Sequence, residues 1–133
     1  DPQNHELMVA NRAEKVARVA NYIPELEVVG NQEGDILIVG WGGTYGHLYT
    51  ATKELLAAGK NVGFAHFDYI NPLPKNTKDV FKRFKKIIVC ELNSGQFVNY
   101  LRGLNPEFTF EQLNKVQGQP FIVKEIVDAV NAL

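Results

Sequence analysis

An open α/β fold with a mostly parallel sheet is predicted by three observations. Short, continuous apolar runs recur at 36–39, 61–66 and 87–90, as expected of strands buried on both faces. Segments of helical period separate them. Glycine or proline closes most of these segments, so strands and helices alternate, and alternation implies parallel strands joined by covering helices.

The elements follow in order. Val16, Val19, Ala20 and Ile23 repeat at helical spacing in a segment opening near Asn4 or His5, and Pro24 stops it. Leu26 to Val29 is a short extended piece closed by Gly30. Ile36 to Val39 is the first buried strand. Leu48, Ala51, Thr52, Leu55 and Leu56 then line one helical face, and Gly59 stands where a helix stops. Asn61 to His66 is the second buried strand. Phe67 to Pro74 is irregular, because Pro72 and Pro74 remove backbone donors and restrain the residues before them.

Asn76 or Thr77 caps a helix carrying Val80, Phe81 and Phe84, with Lys85 and Lys86 near its C-terminus, where cations are favoured. Ile87 to Cys90 is the third buried strand. Ser94 caps the next helix, with Phe97, Val98 and Leu101 inward and Gly103 as stop. Phe108 to Val116 is an edge strand, since Phe108 and Phe110 alternate with Thr109 and Glu111. After a turn at 117–120, Pro120 suits the first turn of a last helix with Ile122, Ile126, Val127 and Val130 on its apolar face.

Composition narrows the function. The 133 residues carry 14 Lys and Arg against 15 Asp and Glu, so one domain without a general basic surface is expected, and nucleic acid is not an expected partner. No apolar run approaches the roughly 20 residues that span a bilayer, and no signal-peptide pattern opens the chain. With one cysteine, Cys90, there is no internal disulfide and no cysteine cluster for zinc or iron–sulfur. A cytoplasmic setting fits. Residues 1–5, Asp-Pro-Gln-Asn-His, read as a linker from a preceding domain, leaving 6–133 as the domain proper.

The richest local pattern is Gly40-Trp-Gly-Gly-Thr-Tyr-Gly46, a strand end, a turn and a helix start. Such a geometry can hold an anion on backbone N–H groups. The dinucleotide fingerprint needs glycines at the first, third and sixth places. Gly40 and Gly42 fit, but Tyr45 holds the sixth, and no lysine follows to make a P-loop. Two readings stand: glycines shaping a sharp turn, or a ligand or partner contact involving Trp41, Gly42, Gly43, Thr44 and Tyr45. His66 and Asp68 follow the second buried strand, and Glu91, Asn93 and Gln96 the third. Ligands of open parallel sheets sit beyond the carboxyl ends of the strands. These five residues could therefore converge with Gly42 and Gly43 as an acid–base site, or they could cap neighbouring helices and turns. Cys90 reads as packing, and the basic run Lys82, Arg83, Lys85, Lys86 as a solvated helix end. His5 and His47 lack ligand-spaced partners.

Four segments together carry a resemblance: Gly40 to Gly46, Asn71-Pro-Leu-Pro-Lys-Asn76, Glu91-Leu-Asn-Ser-Gly-Gln96 and Lys115-Val-Gln-Gly-Gln-Pro-Phe121, with Arg12-Ala-Glu-Lys-Val16 in support. In order and spacing the chain resembles the C-terminal region of the alpha subunit of 2-oxoacid:ferredoxin oxidoreductases, most closely the 2-oxoglutarate type. The resemblance implies a transketolase C-terminal-like domain. Its fold would be a three-layer α/β/α arrangement whose five-stranded sheet has order 1-3-2-4-5, with strand 1 antiparallel. It implies an enzyme using thiamine diphosphate, Mg²⁺, iron–sulfur clusters and coenzyme A to oxidise a 2-oxoacid and reduce ferredoxin. Those cofactors would be bound elsewhere, by other domains of the alpha subunit and by the beta subunit, so this segment alone would be inactive, with no catalytic, cofactor-binding or metal residue of its own. That strand order puts a cleft between Gly42–Gly43 and Glu91–Gln96, with Asn71 as a further candidate contact. A different class stays open: a stand-alone flavodoxin-like module binding a nucleotide or coenzyme A. A receiver domain is disfavoured, because Gly40, His66 and Glu91 stand at the strand ends instead of an acidic cluster.

Overall fold

The computed structural model describes residues 1–133. Five strands, β1 (Val29–Gly30), β2 (Gly34–Trp41), β3 (Val62–Phe67), β4 (Phe84–Glu91) and β5 (Phe110–Asn114), form one sheet in the order β1-β3-β2-β4-β5. β1 pairs antiparallel with β3, and every other pairing is parallel. The expected 1-3-2-4-5 order with an antiparallel first strand is the observed one.

The sheet carries helices on both faces, and strand alternation assigns the core residues. Leu37 and Val39 of β2, with Ile87 and Val89 of β4, meet Val80 and Phe81 of α3 (Thr77–Lys82) and Phe97, Val98 and Leu101 of α4 (Gln96–Leu104). Ile38, Ile88 and Cys90 point the other way. They meet Leu48, Ala51 and Leu55 of α2 (Tyr45–Ala57) and Ile126 and Val130 of α5 (Val123–Asn131). Because β2 and β4 are covered on both sides, residues of either parity must be apolar, which is why these strands read as unbroken runs. The position of α2 also explains Gly40: a Cβ there would collide with Leu48 Cδ1 and come 2.9 Å from Thr44 Oγ1.

Several local expectations are corrected. Helix α3 ends at Lys82, so Phe84, Lys85 and Lys86 belong to β4 and not to the helix. Lys85 and Lys86 are both exposed, between buried Phe84 and Ile87 near the start of that strand, and Lys85 pairs with Asp35 at 3.2 Å. β5 is shorter than the 108–116 run, and it lies at the sheet edge as expected. α5 starts at Val123 and leaves Pro120 outside it. Pro120 instead offers its carbonyl to Lys115 Nζ at 2.9 Å. Ile122 is exposed, since it precedes the helix and is not on its inner face. The first helix, α1 (Pro2–Arg18), is capped by the Asp1 side chain, so residues 2–5 are helical, and none of its residues is buried.

Candidate functional site

The carboxyl ends of β2, β3 and β4 bring the sequence-derived site residues to one edge, and side-chain parity then divides them. Trp41 follows Leu37 and Val39 onto the α4 face of the sheet, as Glu91 follows Ile87 and Val89. His66 follows Val62 and Phe64 onto the opposite face, beside α2. The single convergent set expected from spacing is therefore two sets.

On the α4 side, Glu91 is completely buried. Its Oε1 accepts from Phe97 N at 2.7 Å and from Trp41 Nε1 at 3.2 Å, and its Oε2 accepts from Val98 N at 2.9 Å. Asn93 Oδ1 accepts from Gly95 N at 2.8 Å and Gln96 N at 3.0 Å. The N-terminus of α4 thus has its free N–H groups satisfied by two side chains, a requirement every helix start imposes. The cap residue is Gly95 and not Ser94, which stays exposed; the capping oxygens come from Glu91 and Asn93. The Trp41 ring closes the space between β2 and β4 by packing on Phe97, with centroids 5.8 Å apart. Glu91 consequently faces inward, fully bonded, and is not available as an acid or base to a ligand. Gln96 is exposed beyond it.

Cys90 lies next to Glu91 with its side chain on the α5 face, completely buried. Burial, reinforced by the neighbouring Glu91 charge, pushes its thiol up to about 12. A thiol in that state is not a nucleophile.

On the α2 side, His66 Nε2 lies 3.0 Å from the Gly42 carbonyl and Nδ1 lies 3.3 Å from Asp68 Oδ1. Gly42 adopts φ +65°, which turns its carbonyl toward the ring at little steric cost. The Gly42 carbonyl can only accept, so Nε2 is the donor in that contact. Tyr45 packs edge-on to His66 with centroids 5.2 Å apart and stacks along α2 on Tyr49 at 5.8 Å. A cavity of about 410 Å³ opens here, bounded by Tyr45, Phe64, His66, Asp68, Tyr69 and the segment Pro24–Glu27. Gly42, Gly43 and Gly46 face open space. Thr44 is buried, its Oγ1 donating to the Trp41 carbonyl at 3.0 Å.

Asn71 stands apart from both sets. It lines a shallow groove between α1 and α4 with Pro72, Leu73 and Tyr100. Tyr100 donates its hydroxyl to the Ile70 carbonyl at 2.8 Å, and burial raises its phenol above the ordinary value.

Several residues near the site have partners far away in sequence. Asn76 is not a helix cap by its side chain. Its amide clamps Leu26, accepting from Leu26 N at 2.7 Å and donating to Leu26 O at 2.9 Å, and so holds the 24–27 segment against the sheet. Glu25, Glu27 and Tyr69, which line the cavity, carried no periodic signal. Lys115, within one of the four characteristic segments, is buried and bonds Glu125 at 2.9 Å, which lowers the Glu125 carboxyl below its usual value. No group of three His, Cys, Asp or Glu side chains stands close enough to hold a metal ion, and no helix is long and apolar enough to cross a membrane.

The chain is 35% identical over 127 residues to the 2-oxoglutarate oxidoreductase subunit KorA of Mycobacterium tuberculosis, a match covering 95% of the chain and 19% of that protein. It is 28% identical over 137 residues to subunit alpha of 2-oxoacid:ferredoxin oxidoreductase 1 from Aeropyrum pernix, covering 98% of the chain and 21% of that protein. Its relatives are 2-oxoacid:ferredoxin oxidoreductase alpha subunits. The chain spans about a fifth of the length of these curated relatives. Among solved structures, the 2-oxoglutarate:ferredoxin oxidoreductase from Magnetococcus marinus, with 2-oxoglutarate, coenzyme A and succinyl-CoA bound, superposes with a TM-score of 0.86 at 32% identity over 99% of the chain and 23% of its own. A split-gene transketolase, an inactive beta4 tetramer, superposes at 0.63 with 14% identity over 80% of the chain and 40% of its own, a likeness of fold. No family model matches the chain. The fold is transketolase-like, as the resemblance of the four segments implied.

Proposed function

We propose that this chain is the transketolase C-terminal-like domain of an oxidoreductase alpha subunit. The complete enzyme would oxidatively decarboxylate a 2-oxoacid, 2-oxoglutarate above others, to its acyl-coenzyme A and pass the electrons to ferredoxin. The observation that carries this reading is the 0.86 superposition over 99% of the chain at 32% identity on a 2-oxoglutarate-type enzyme.

The domain's own part is architectural. Its conspicuous polar residues at the sheet edge are consumed by structure: Glu91 and Asn93 hold α4, and His66 holds the Gly42 turn. They leave no unengaged acid–base pair. The donor chemistry does not suit an iron–sulfur cluster either, since Cys90 is a lone, buried thiol. Thiamine diphosphate, Mg²⁺ and the clusters would be held by other domains of the alpha subunit and by the beta subunit, in a cytoplasmic complex that docks ferredoxin. This segment would supply rigid packing surfaces through Trp41 to Gly46, Asn71 to Pro74 and Gly118 to Phe121, and it would border a substrate or coenzyme A channel at most.

Two measurements test the reading. Calorimetric titration of the isolated chain with thiamine diphosphate and Mg²⁺ should give no heat of specific binding; tight binding would overturn the placement of the cofactor elsewhere. The full-length alpha subunit carrying this segment, assembled with its beta partner, should reduce a viologen dye in the presence of 2-oxoglutarate and coenzyme A. Activity with other 2-oxoacids and none with 2-oxoglutarate would overturn the substrate assignment.

A further inference from the structure

The cavity beside His66 has a chemical character that the architectural role does not account for. Its walls are aromatic: Phe64 lies completely buried at the base, the ring of Tyr45 sits 5.5 Å from Phe64 and 5.2 Å from His66, and Tyr69 stands half-exposed at the rim. Its mouth is acidic. Glu25 and Glu27 border it, and neither has an ion-pair partner in the fold; Asp68 borders it too, and its ion-pair partner is His66. No lysine or arginine lines it. Lys53 lies over the ring of Tyr49, 5.5 Å from its centroid and one helical turn beyond Tyr45, and Arg83 borders a separate depression that Glu25 and Glu27 also line. The same row of rings therefore already carries one cation at its far end, while its near end opens on three carboxylates.

Charge complementarity decides what fits. A phosphate-bearing ligand would meet three negative charges and no cation, so nucleotides and coenzyme A are disfavoured in this cavity. A planar guanidinium satisfies both kinds of wall at once, because it stacks on aromatic faces and presents a fork of N–H donors to carboxylates. A compact ammonium ion is more strongly hydrated and cannot stack. At about 410 Å³ the space exceeds a single guanidinium, so a side chain would enter together with part of the surface that carries it. The 24–27 segment that supplies the acids is pinned by the Asn76 clamp on Leu26, so the carboxylates stand preorganised on a fixed backbone.

We propose that this aromatic, acidic cavity is a docking socket for an arginine side chain on a protein surface. In an assembled oxidoreductase that surface would belong to a neighbouring domain or subunit. The socket's chemistry does not depend on which enzyme carries it.

The test is a ¹H–¹⁵N and aromatic NMR titration of the chain with acetyl-Gly-Arg-Gly-amide, with the Lys and Glu analogues and coenzyme A as comparisons. The arginine peptide should give saturable shifts confined to Tyr45, His66, Asp68, Tyr69 and the 25–27 backbone. The lysine peptide should bind several-fold more weakly, and the glutamate peptide and coenzyme A should leave those resonances unmoved. The exposed double variant E25Q/E27Q, with its spectrum otherwise unchanged, should weaken the arginine peptide at least fivefold. Absent or unsaturable shifts, equal response to the glutamate peptide, tighter binding of lysine, or full affinity in E25Q/E27Q would each overturn the assignment. None of these results bears on the thiamine diphosphate titration, so the two readings fail separately.

Discussion

Glu91→Gln is the sharpest probe of how this fold is held at its functional edge. The carboxylate accepts three N–H donors, two from the first turn of α4 and one from Trp41. A glutamine keeps the volume but converts one accepting oxygen into a donating NH₂. If its oxygen stays on Phe97 and Trp41, the NH₂ is forced against Val98 N–H, which is buried and has no alternative partner. Losing one charge-assisted bond costs about 1.5–3 kcal/mol, and a stranded buried donor costs about 1–3 kcal/mol. The two overlap, so about 3 kcal/mol is expected in total. For a chain of this size, each kcal/mol moves the melting temperature by about 3–5 °C, which places the Glu91→Gln midpoint about 10–15 °C below the wild type. The assay is urea and thermal unfolding followed by tryptophan fluorescence, because Trp41 is the only tryptophan and sits on the bond being altered. Trp41→Phe is the companion, keeping the ring against Phe97 while removing a bond of 3.2 Å, at about 1 kcal/mol. A loss below about 0.5 kcal/mol in Glu91→Gln, inside the range of ordinary surface substitutions, would refute the claim that this carboxylate anchors α4.

Other outcomes follow from the same geometry. Gly40→Ala should destabilise by about 1–3 kcal/mol through overpacking against Leu48 and Thr44, whereas Gly46→Ala, with nothing near its added methyl, should be neutral or stabilise α2 by up to about 1 kcal/mol; equal effects in chemical denaturation would contradict the packing described for the glycine turn. Cys90 should resist an aromatic disulfide reagent at pH 8 in the native protein and react fully in 6 M guanidinium, as judged by absorbance; rapid native labelling would show that the thiol is neither buried nor raised. Glu125 has a folded-state carboxyl below its unfolded value because of Lys115. Its contribution is therefore present above the unfolded carboxylate range and is lost as pH falls through the lower, folded value. Unfolding free energies measured from pH 7 to pH 2 should fall less steeply in Glu125→Gln than in the wild type, and identical slopes would remove the Lys115 pairing as the cause.

Much of the fold was legible because burial on both faces leaves an unmistakable trace. The central residues of β2, β3 and β4 had to be apolar on both faces, and the helices between them had to be amphipathic, so alternation and a parallel sheet followed. The order of the strands came from the resemblance of the four segments and not from periodicity. Boundaries were less legible where one residue type serves two roles. Phe84 fits the helical spacing of Val80 and Phe81 but begins β4, since the helix ends at Lys82 and the chain from Phe84 pairs with β2. Ser94 is a good cap by type, yet Glu91 reaches the same N–H groups from the end of β4 and leaves Ser94 in solvent.

The residues of the sheet edge show the division most clearly. The sequence places Gly40, His66 and Glu91 at the ends of three strands, and the strand order implied by the resemblance makes those strands neighbours. Which of them share a face depends on the register at which each run enters the sheet, and a shift of one residue exchanges the faces. The observed register turns Trp41 and Glu91 toward α4 and His66 toward α2, so of the two readings left open for this edge, Glu91 and Asn93 follow the capping one, while His66 borders a walled cavity on the other side. Sequence determined the alternation of layers, the buried strands and the similarity to its relatives, because these rest on local pattern and on short segments. Tertiary structure alone decided that Asn76 would clamp Leu26, fifty positions away, and bring Glu25 and Glu27 beside Asp68, because that contact depends on where a loop lands and leaves no period in the chain.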